Sequence, residues 1–350
     1  MIGIGTQDSF HLSELDLAVI NAMQINPRAS WTLIGEVLQV DPVTAARRWE
    51  RLTRAGAAWV TCQPLGTADT SAALVEIECE PGRNLAVARQ LSDDPQAVTI
   101  DLTAGGRDLV VTVVAPDLPA LSSYLLERAG GFAHVTRVRS HPVVRFHTDA
   151  SRWRLRSLER GQVRQLTADL GDRTPTDSAR QAPTGADWAI ATALAADGRA
   201  SLAELAAAAD VSVATARRRL GRLIGAGQIR LRCELARELT GWPISVWFFA
   251  ETPPSELDDV AAALLPIPEV RAVVSTAGPH NLLVAAWLRR LEDVQRLEAQ
   301  ITRRLSAVTI TDRSLVIRPY KLLGRLLDPH GFSTAVVPMD IRPPGPRAGR

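Results

Sequence analysis

Apolar positions follow two spacings that alternate along the chain. From Ala186 to Ala196 they recur at helical intervals (Trp188, Ile190, Ala191, Leu194), and Asp197-Gly198-Arg199 breaks the run. Ser201, with Glu204 three residues later, makes a capping box and predicts a short second helix, Leu202 to Ala209. Asp210-Val211 predicts a turn. Ser212 then caps a third helix running to about Ala226, and Gly227 stops it. The period next changes to that of strands. ISVWFFAE (244–251) reads as a buried strand and Ser255 to Leu265 as an amphipathic helix. EVRAVVSTAG (269–278) and HNLLVAAWL (280–288) read as strands joined by a tight Gly-Pro turn. Leu291 to Leu305 is helical by its period, and Val308 to Ile317 alternates as a strand. The order βαββαβ predicts a ferredoxin-like sandwich.

The same pattern stands earlier in the chain. A shift of 171 positions lays residues 15–62 on 186–233 without a gap. Asp16 meets Asp187, Arg28-Ala29-Ser30 meets Arg199-Ala200-Ser201, and Arg47-Arg48 meets Arg218-Arg219. Arg51-Leu52 meets Arg222-Leu223, Gly56 meets Gly227, and Cys62 meets Cys233. After a two-residue insertion the shift is 173: Thr103-Ala104-Gly105 meets Thr276-Ala277-Gly278, and Asp108-Leu109 meets Asn281-Leu282. In the first copy Asp41 is the N-cap, Pro42 takes the favoured first helical position, and Gly56 ends the helix. The expected fold class is α+β, with two three-helix, winged-type helix-turn-helix domains each followed by a ferredoxin-like sensor domain. The expected boundaries are 10–62 and 70–150 for the first unit and 186–235 and 242–325 for the second. A Pro-, Thr- and Ser-rich linker is expected over 165–185 and a disordered tail over 332–350.

Composition excludes several classes. Hydrophobic residues make up 46% and charged residues 22%, so the bulk of the chain should be globular. No apolar run is long enough to span a membrane, and MIGIGTQDSF lacks the features of a secretory signal. Cys62, Cys79 and Cys233 lie far apart, with no metal-ligand spacing. A reduced, cytoplasmic protein without metal or cofactor is expected. The net charge is only +2, and Lys321 is the sole lysine. An arginine bias by itself fits a GC-rich genome, so placement must carry any functional argument.

The arginines gather on the third helix of each trio. Arg47, Arg48, Arg51 and Arg54 lie in the first copy, and Arg217, Arg218, Arg219 and Arg222 in the second. In a helix-turn-helix the start of this helix enters the major groove. Thr44 and Thr215 would face bases or phosphates there. Arg47, Arg48, Arg51, Arg217, Arg218, Arg219 and Arg222 would contact phosphates or guanine edges. Leu52, Leu223, Trp49 and Leu220 would pack inward. Double-stranded DNA is therefore the expected partner.

With D-G-R-A-S-L-A-E-L-A, V-S-V-A-T-A-R-R-R-L-G-R-L (to 223) and the hairpin T-A-G-P-H-N-L-L-V (276–284), the chain resembles the Lrp/AsnC (feast/famine) regulators, twice over. The resemblance implies a transcription factor whose sensor domains bind an amino acid or similar effector and pair into oligomers through their sheets. It places Gly105, Asp108, Gly278 and Asn281 in the effector hairpin, although a tight turn alone would also require such glycines. Asp41, Trp49, Glu50 and Asn281 depart from the family pattern. The departures suggest a DNA-weighted second copy, in which Arg219→Ala costs more DNA affinity than Arg48→Ala. The two recognition helices differ, so an asymmetric DNA site is expected. No enzyme motif is present. Two other functions share the architecture: a siroheme decarboxylase-like enzyme, for which His134 and His280 show no acid-base partner in sequence, and an amino-acid-binding module without DNA binding.

Overall fold

The computed structural model describes residues 10–64, 70–149, 153–170 and 182–342. The first trio is α1 (Glu14–Ile25), α2 (Trp31–Leu38) and α3 (Pro42–Arg54). Ser13 and Asp16 form a reciprocal capping box at α1, Ser30 caps α2, and Asp41 caps α3 ahead of Pro42. Gly56 leaves α3 at φ +69°, a conformation that favours glycine. Ile20, Met23, Ile34, Trp49 and Leu52 close the core of this trio.

A strand follows, β1 (Ala58–Pro64), and then the first sensor: β2 (Ser71–Cys79), α4 (Asn84–Ser92), β3 (Ala97–Ala104), β4 (Leu109–Ala115), α5 (Leu118–Ser123) and β5 (Val135–Asp149). A further helix, α6 (Arg160–Ala168), was not expected as an element. It starts ahead of the predicted 165–185 linker and packs Leu166 into the first trio. Gln162 Nε2 donates to Val37 O at 2.9 Å, and the backbone leading to α6 satisfies buried Asn21 and Gln24. Its apolar positions are few, and only its last turn falls within the predicted linker. Most of the rest of that linker, 171–181, lies outside the described residues.

The second unit has α7 (Gly185–Ala196), α8 (Leu202–Ala208), α9 (Val213–Gly225), β6 (Ile229–Leu235), β7 (Ile244–Glu251), α10 (Leu257–Leu264), β8 (Val270–Thr276), β9 (Leu282–Leu288), α11 (Asp293–Arg304) and β10 (Thr309–Leu322). Ser201 and Glu204 make the predicted capping box, and Ser212 caps α9.

Two contacts tie the helical domains together. β1 and β6 pair as an antiparallel ribbon, in which Thr61 lies opposite Arg232, its own counterpart at a shift of 171. Each strand buries a thiol against the other copy: Cys62 enters the second trio's core and Cys233 the first's. Burial pushes the Cys62 thiol up to about 12. Above the ribbon, Arg28 donates to Gly198 O and Ala200 O, both at 2.9 Å. Arg199, its counterpart, returns the contact to Pro27 O at 2.8 Å and Ala29 O at 3.0 Å. This reciprocal clasp needs close approach. Gly198 N donates to Val60 O at 3.1 Å, and a Cβ on Gly198 would lie 2.2 Å from Val60 Cγ1.

The sensor sheets also join. In the sheet order, β10-β3-β4-β2-β5-β8-β9-β7 run side by side, and β7 pairs back to β10. Every pairing is antiparallel. The result is an eight-stranded barrel made by both copies, with no open sheet edge around the ring. Outward residues pack under the helices, as Val75 and Ile77 do in one copy and Val246 and Phe248 in the other. Inward residues, Leu74, Trp247, Phe249, Val274 and Leu283 among them, form a separate core.

The tail expected to be disordered from 332 is ordered as far as Arg342. β11 (Arg325–Leu327) and β12 (Ser333–Val336) form a hairpin beside β10. Ser333 N donates to Gly56 O at 2.8 Å, Phe332 packs edge-on to Phe10, and Met339 and Ile341 are buried. Backbone pairing to other segments compensates for the polar, Pro-rich composition. Residues 343–350 lie outside the described residues.

Candidate DNA-binding and effector sites

The predicted DNA-contacting residues fall into two groups. Thr44, Arg47, Arg217 and Arg218 are exposed on α3 and α9, and the three arginines have no side-chain partner among the described residues. Thr215 is half-buried and accepts a hydrogen bond from Ser212 Oγ at 3.0 Å. The other four arginines turn back onto the first helix of their own trio. Arg48 and Arg51 reach Asp16 at 3.6 and 2.7 Å, and Arg219 and Arg222 reach Asp187 at 3.0 and 2.7 Å. Both carboxylates are almost fully buried. Burial works to raise them, but hydrogen bonds from Ser13 or Thr184 and from the arginines outweigh it and hold both below the ordinary range. Arg48 and Arg219 thus have the same surroundings in the two copies. The copies differ two positions earlier, where Ala46 corresponds to Arg217, and in the Arg54–Glu50 ion pair of α3, for which α9 has no counterpart. Trp49, Leu52, Leu220 and Leu223 are buried as expected.

The hairpin residues are engaged with backbone. The Asp108 carboxylate accepts from Cys79 N at 2.7 Å, at the end of β2. Asn281 makes the corresponding pair of bonds to the end of β7: Thr252 N donates to Oδ1 at 3.0 Å, and Nδ2 donates to Thr252 O at 2.8 Å. Both side chains cap a strand. Gly105 takes φ +119°, and its Cβ would meet Arg313 O of β10 at 3.4 Å; a Cβ on Gly278 would lie 3.5 Å from His141 Nδ1. The glycines therefore serve the turn and the contact between copies.

Between the two hairpins lies a buried polar cluster that composition and motif did not reveal. Glu76 accepts from Arg107 Nε at 2.6 Å and lies 2.6 Å from His141 Nε2. Arg107 continues to Ser314 Oγ and to Asp312 at 2.5 Å, and its guanidinium stacks 4.0 Å over the Phe249 ring. Although burial opposes it, His141 and Arg107 hold the Glu76 carboxyl down to about 2. At a shift of 173, Glu76, Arg107 and His141 correspond to Phe249, His280 and Ser314. Six equivalent positions therefore meet with different chemistry from each copy. His134 and His280 do have neighbours in space: Glu80 at 2.8 Å from the first, Thr311 Oγ1 at 3.0 Å and Glu251 at 3.9 Å from the second. Only folding brings these together, since the partners are distant in sequence.

At the other end of the barrel interior is a cavity of about 500 Å³, bounded by β2, β3, β4 and β5 of the first copy and β7, β8 and β9 of the second, and roofed by the β1–β6 ribbon and the tail. Among the described residues no helix is long and apolar enough to cross a membrane.

Comparison with known proteins agrees with this arrangement. The AsnC-type helix-turn-helix domain model matches residues 12–53 and 185–224, and the Lrp/AsnC ligand binding domain model matches 72–152 and 246–326. The HTH-type transcriptional regulator LrpA of Mycobacterium tuberculosis is 34% identical over 134 residues, which are 37% of this chain and 87% of that protein. An uncharacterized HTH-type transcriptional regulator of Pyrococcus abyssi is 27% identical over 131 residues, 37% of this chain and 83% of that one. In overall shape the chain is similar to the siroheme decarboxylase NirDL, with TM-score 0.57 over 92% of this chain and 95% of that one, at 13% identity. At that identity the likeness concerns the fold alone. Both domain types, each present twice and together matching well over half of the residues, show that the chain belongs to the Lrp/AsnC family of helix-turn-helix transcriptional regulators, as a tandem duplication.

Proposed function

We propose that the protein binds DNA as an intramolecular pair of helix-turn-helices, reads an asymmetric site, and responds to a small molecule bound by its sensor domains. One observation carries this. The ribbon and the arginine clasp hold the two trios together, and each third helix carries exposed arginine without a side-chain partner among the described residues. Because the pair forms within one chain, pairing does not depend on protein concentration. Arg47, Arg217 and Arg218 are assigned to phosphates or guanine edges, together with Thr44 and Thr215. Arg48, Arg51, Arg219 and Arg222 are assigned to positioning α3 and α9. A difference in exposed charge, two arginines against one, weights the second copy. Exposed Val144 and Ile317, equivalent positions on β5 and β10, are assigned to further pairing of sensor barrels.

The test is binding of the full chain to the DNA upstream of its own gene, titrated across salt. Three engaged arginines correspond to a slope of about −2.7 or steeper in log K against log salt. Arg218→Ala should make the slope shallower by about 1. Binding no tighter than to random DNA would refute the proposal. A tetrapyrrole absorbance band on the same protein would then favour the enzyme reading, which the full-length likeness to NirDL supports in fold.

A further inference from the structure

The cavity at the barrel mouth contains an unfilled hydrogen-bonding demand. Arg271 lines it and is 4% exposed. Its Nη1 donates to Pro268 O at 2.5 Å and Val270 O at 3.2 Å. Its Nε and Nη2 are buried without any hydrogen-bond partner among the described residues. These two nitrogens form the side of the guanidinium that presents parallel N–H groups, the fork that fits a carboxylate. Trp287, Trp242 and Trp153 surround the cation, their ring centroids at 4.9, 5.3 and 5.5 Å. Rings stabilise the charge but supply no lone pairs to the orphaned donors. Burial lowers the Arg271 guanidinium only to about 10, so it stays charged at neutral pH. A buried charged donor left without an acceptor is costly, and native structures seldom leave one.

Local geometry places this side chain deliberately. The β8–β9 ladder slips between Val270 and Ala272, so Arg271 is the bulged residue, and bulges re-aim side chains toward sites. Beside it, the cavity wall offers the flat faces of Trp247, Trp287 and Phe146. The volume suits a small organic molecule. The chemistry stands on one wall only, since the equivalent residues of the first copy line the same cavity and are aliphatic. At a shift of 173 they are Val98 for Arg271, Leu74 for Trp247 and Val114 for Trp287.

The geometry points to a binding site at the barrel mouth, one per chain, for a small carboxylic acid with a flat apolar body. Both nitrogens are sealed from the cavity in the structure, so the Arg271 side chain, which forms part of the wall, turns its fork inward to hold the carboxylate, and the body lies against Trp247 and Trp287. The roof of the site is β6, which continues from α9, together with Met339 and Ile341 of the tail. An occupant therefore touches both the sensor barrel and the strand that carries the second recognition helix. This deepens the ligand-responsive reading above, and rests on it for what the site controls.

The test is isothermal titration calorimetry of the full chain with indole-3-acetate and with its neutral isostere indole-3-acetamide. One saturable site is expected, favouring the acid by roughly tenfold or more. Arg271→Gln should abolish the preference. Ala285→Leu fills the cavity and leaves Arg271 in place, and should weaken the acid by roughly tenfold or more. Circular dichroism shows whether each variant keeps the parent fold. No saturable binding up to about 10 mM, equal affinity for acid and amide, or parent-like binding by Ala285→Leu would each overturn the assignment. The titration is made without DNA, and DNA affinity is measured separately on the same preparation. Failure of the site is thereby told apart from failure of the regulator reading.

Discussion

Asp187→Ala is the perturbation that separates anchoring arginines from DNA-reading ones. The carboxylate has three tasks in the structure. It accepts from Thr184 N and Oγ1, both at 2.8 Å, as the reciprocal half of the α7 capping box. It also pairs with Arg219 at 3.0 Å and Arg222 at 2.7 Å, joining α7 to α9. Loss of a cap costs about 1 kcal/mol. Breaking a buried pair by removing one partner costs about 3–5 kcal/mol, because the remaining charges lose their compensation. The arginine side chains are 29% and 15% exposed, so water recovers part of this. A loss of about 3 kcal/mol is expected. Several domains share the chain, and a global melt would blend them. Amide hydrogen exchange over α7–α9 reads the local opening directly. Protection there should fall by about a hundredfold or more. Asp187→Asn keeps part of the cap and should fall between parent and Asp187→Ala. The Asp187 carboxyl is held below its unfolded value of 3.8. Its contribution is therefore present above that pH and lost as pH falls through the folded value. Arg219→Ala and Arg48→Ala should behave alike, each loosening its own trio, whereas Arg217→Ala and Arg218→Ala should weaken DNA binding and leave exchange unchanged. A loss of protection under tenfold for Asp187→Ala, or a DNA defect in Arg219→Ala with parent-like exchange, would refute the division.

Lys321 is fully buried and donates to Ser92 O and Asp94 O, both at 2.9 Å, and burial pushes its amine from 10.5 down to about 8. Between those values the unfolded chain binds more protons, so stability should rise with pH from about 8 to 10.5, by up to about 3 kcal/mol; denaturant titrations should show this rise in the parent and not in Lys321→Met. Removing both halves of the clasp, Arg28→Ala with Arg199→Ala, should lower DNA affinity by roughly tenfold or more while exchange within α3 and α9 stays near the parent's; unchanged affinity would mean that the ribbon alone sets the pairing. Gly198→Ala places a Cβ against Val60 Cγ1 and 2.8 Å from Val60 O, and should cost about 1–3 kcal/mol, read as a lower melting temperature and partly restored by Val60→Ala.

Much of the architecture was legible because it is written locally. Capping residues such as Ser201 and Asp41 act within one turn, and the change of apolar period marks strands against helices. The duplication then doubled every local signal. What escaped depends on segments far apart. Closure of the barrel requires β5 to meet β8 and β3 to meet β10, and no local period encodes which edges join. The tail was misjudged because its order comes from pairing with Gly56 and from the barrel mouth, not from its own composition. On α3, Arg47 and Arg48 are adjacent in sequence but differ by about 100° around the helix. One faces solvent and the other faces Asp16. Counting charge cannot separate them, although the acid retained on the first helix of both copies, Asp16 and Asp187, carried the hint. Arg271 gave no signal at all, since its meaning lies in the acceptors it lacks.

Thr61 opposite Arg232 has a consequence for how such a chain can change. In a symmetric dimer of single units, a residue on the twofold axis faces itself, so each substitution enters the contact twice. An arginine at the ribbon's centre would confront a second arginine, with like charges directly opposed across the strands. Joining the two units in one polypeptide removes that demand for self-complementarity. One side of the axis can carry a cation while the other keeps a small hydroxyl. The same freedom lets Glu76 stand in one half where the other half has Phe249, with Arg107 between a carboxylate and a ring. A gene fusion of this kind makes accessible a set of central contacts that no pair of identical chains can form.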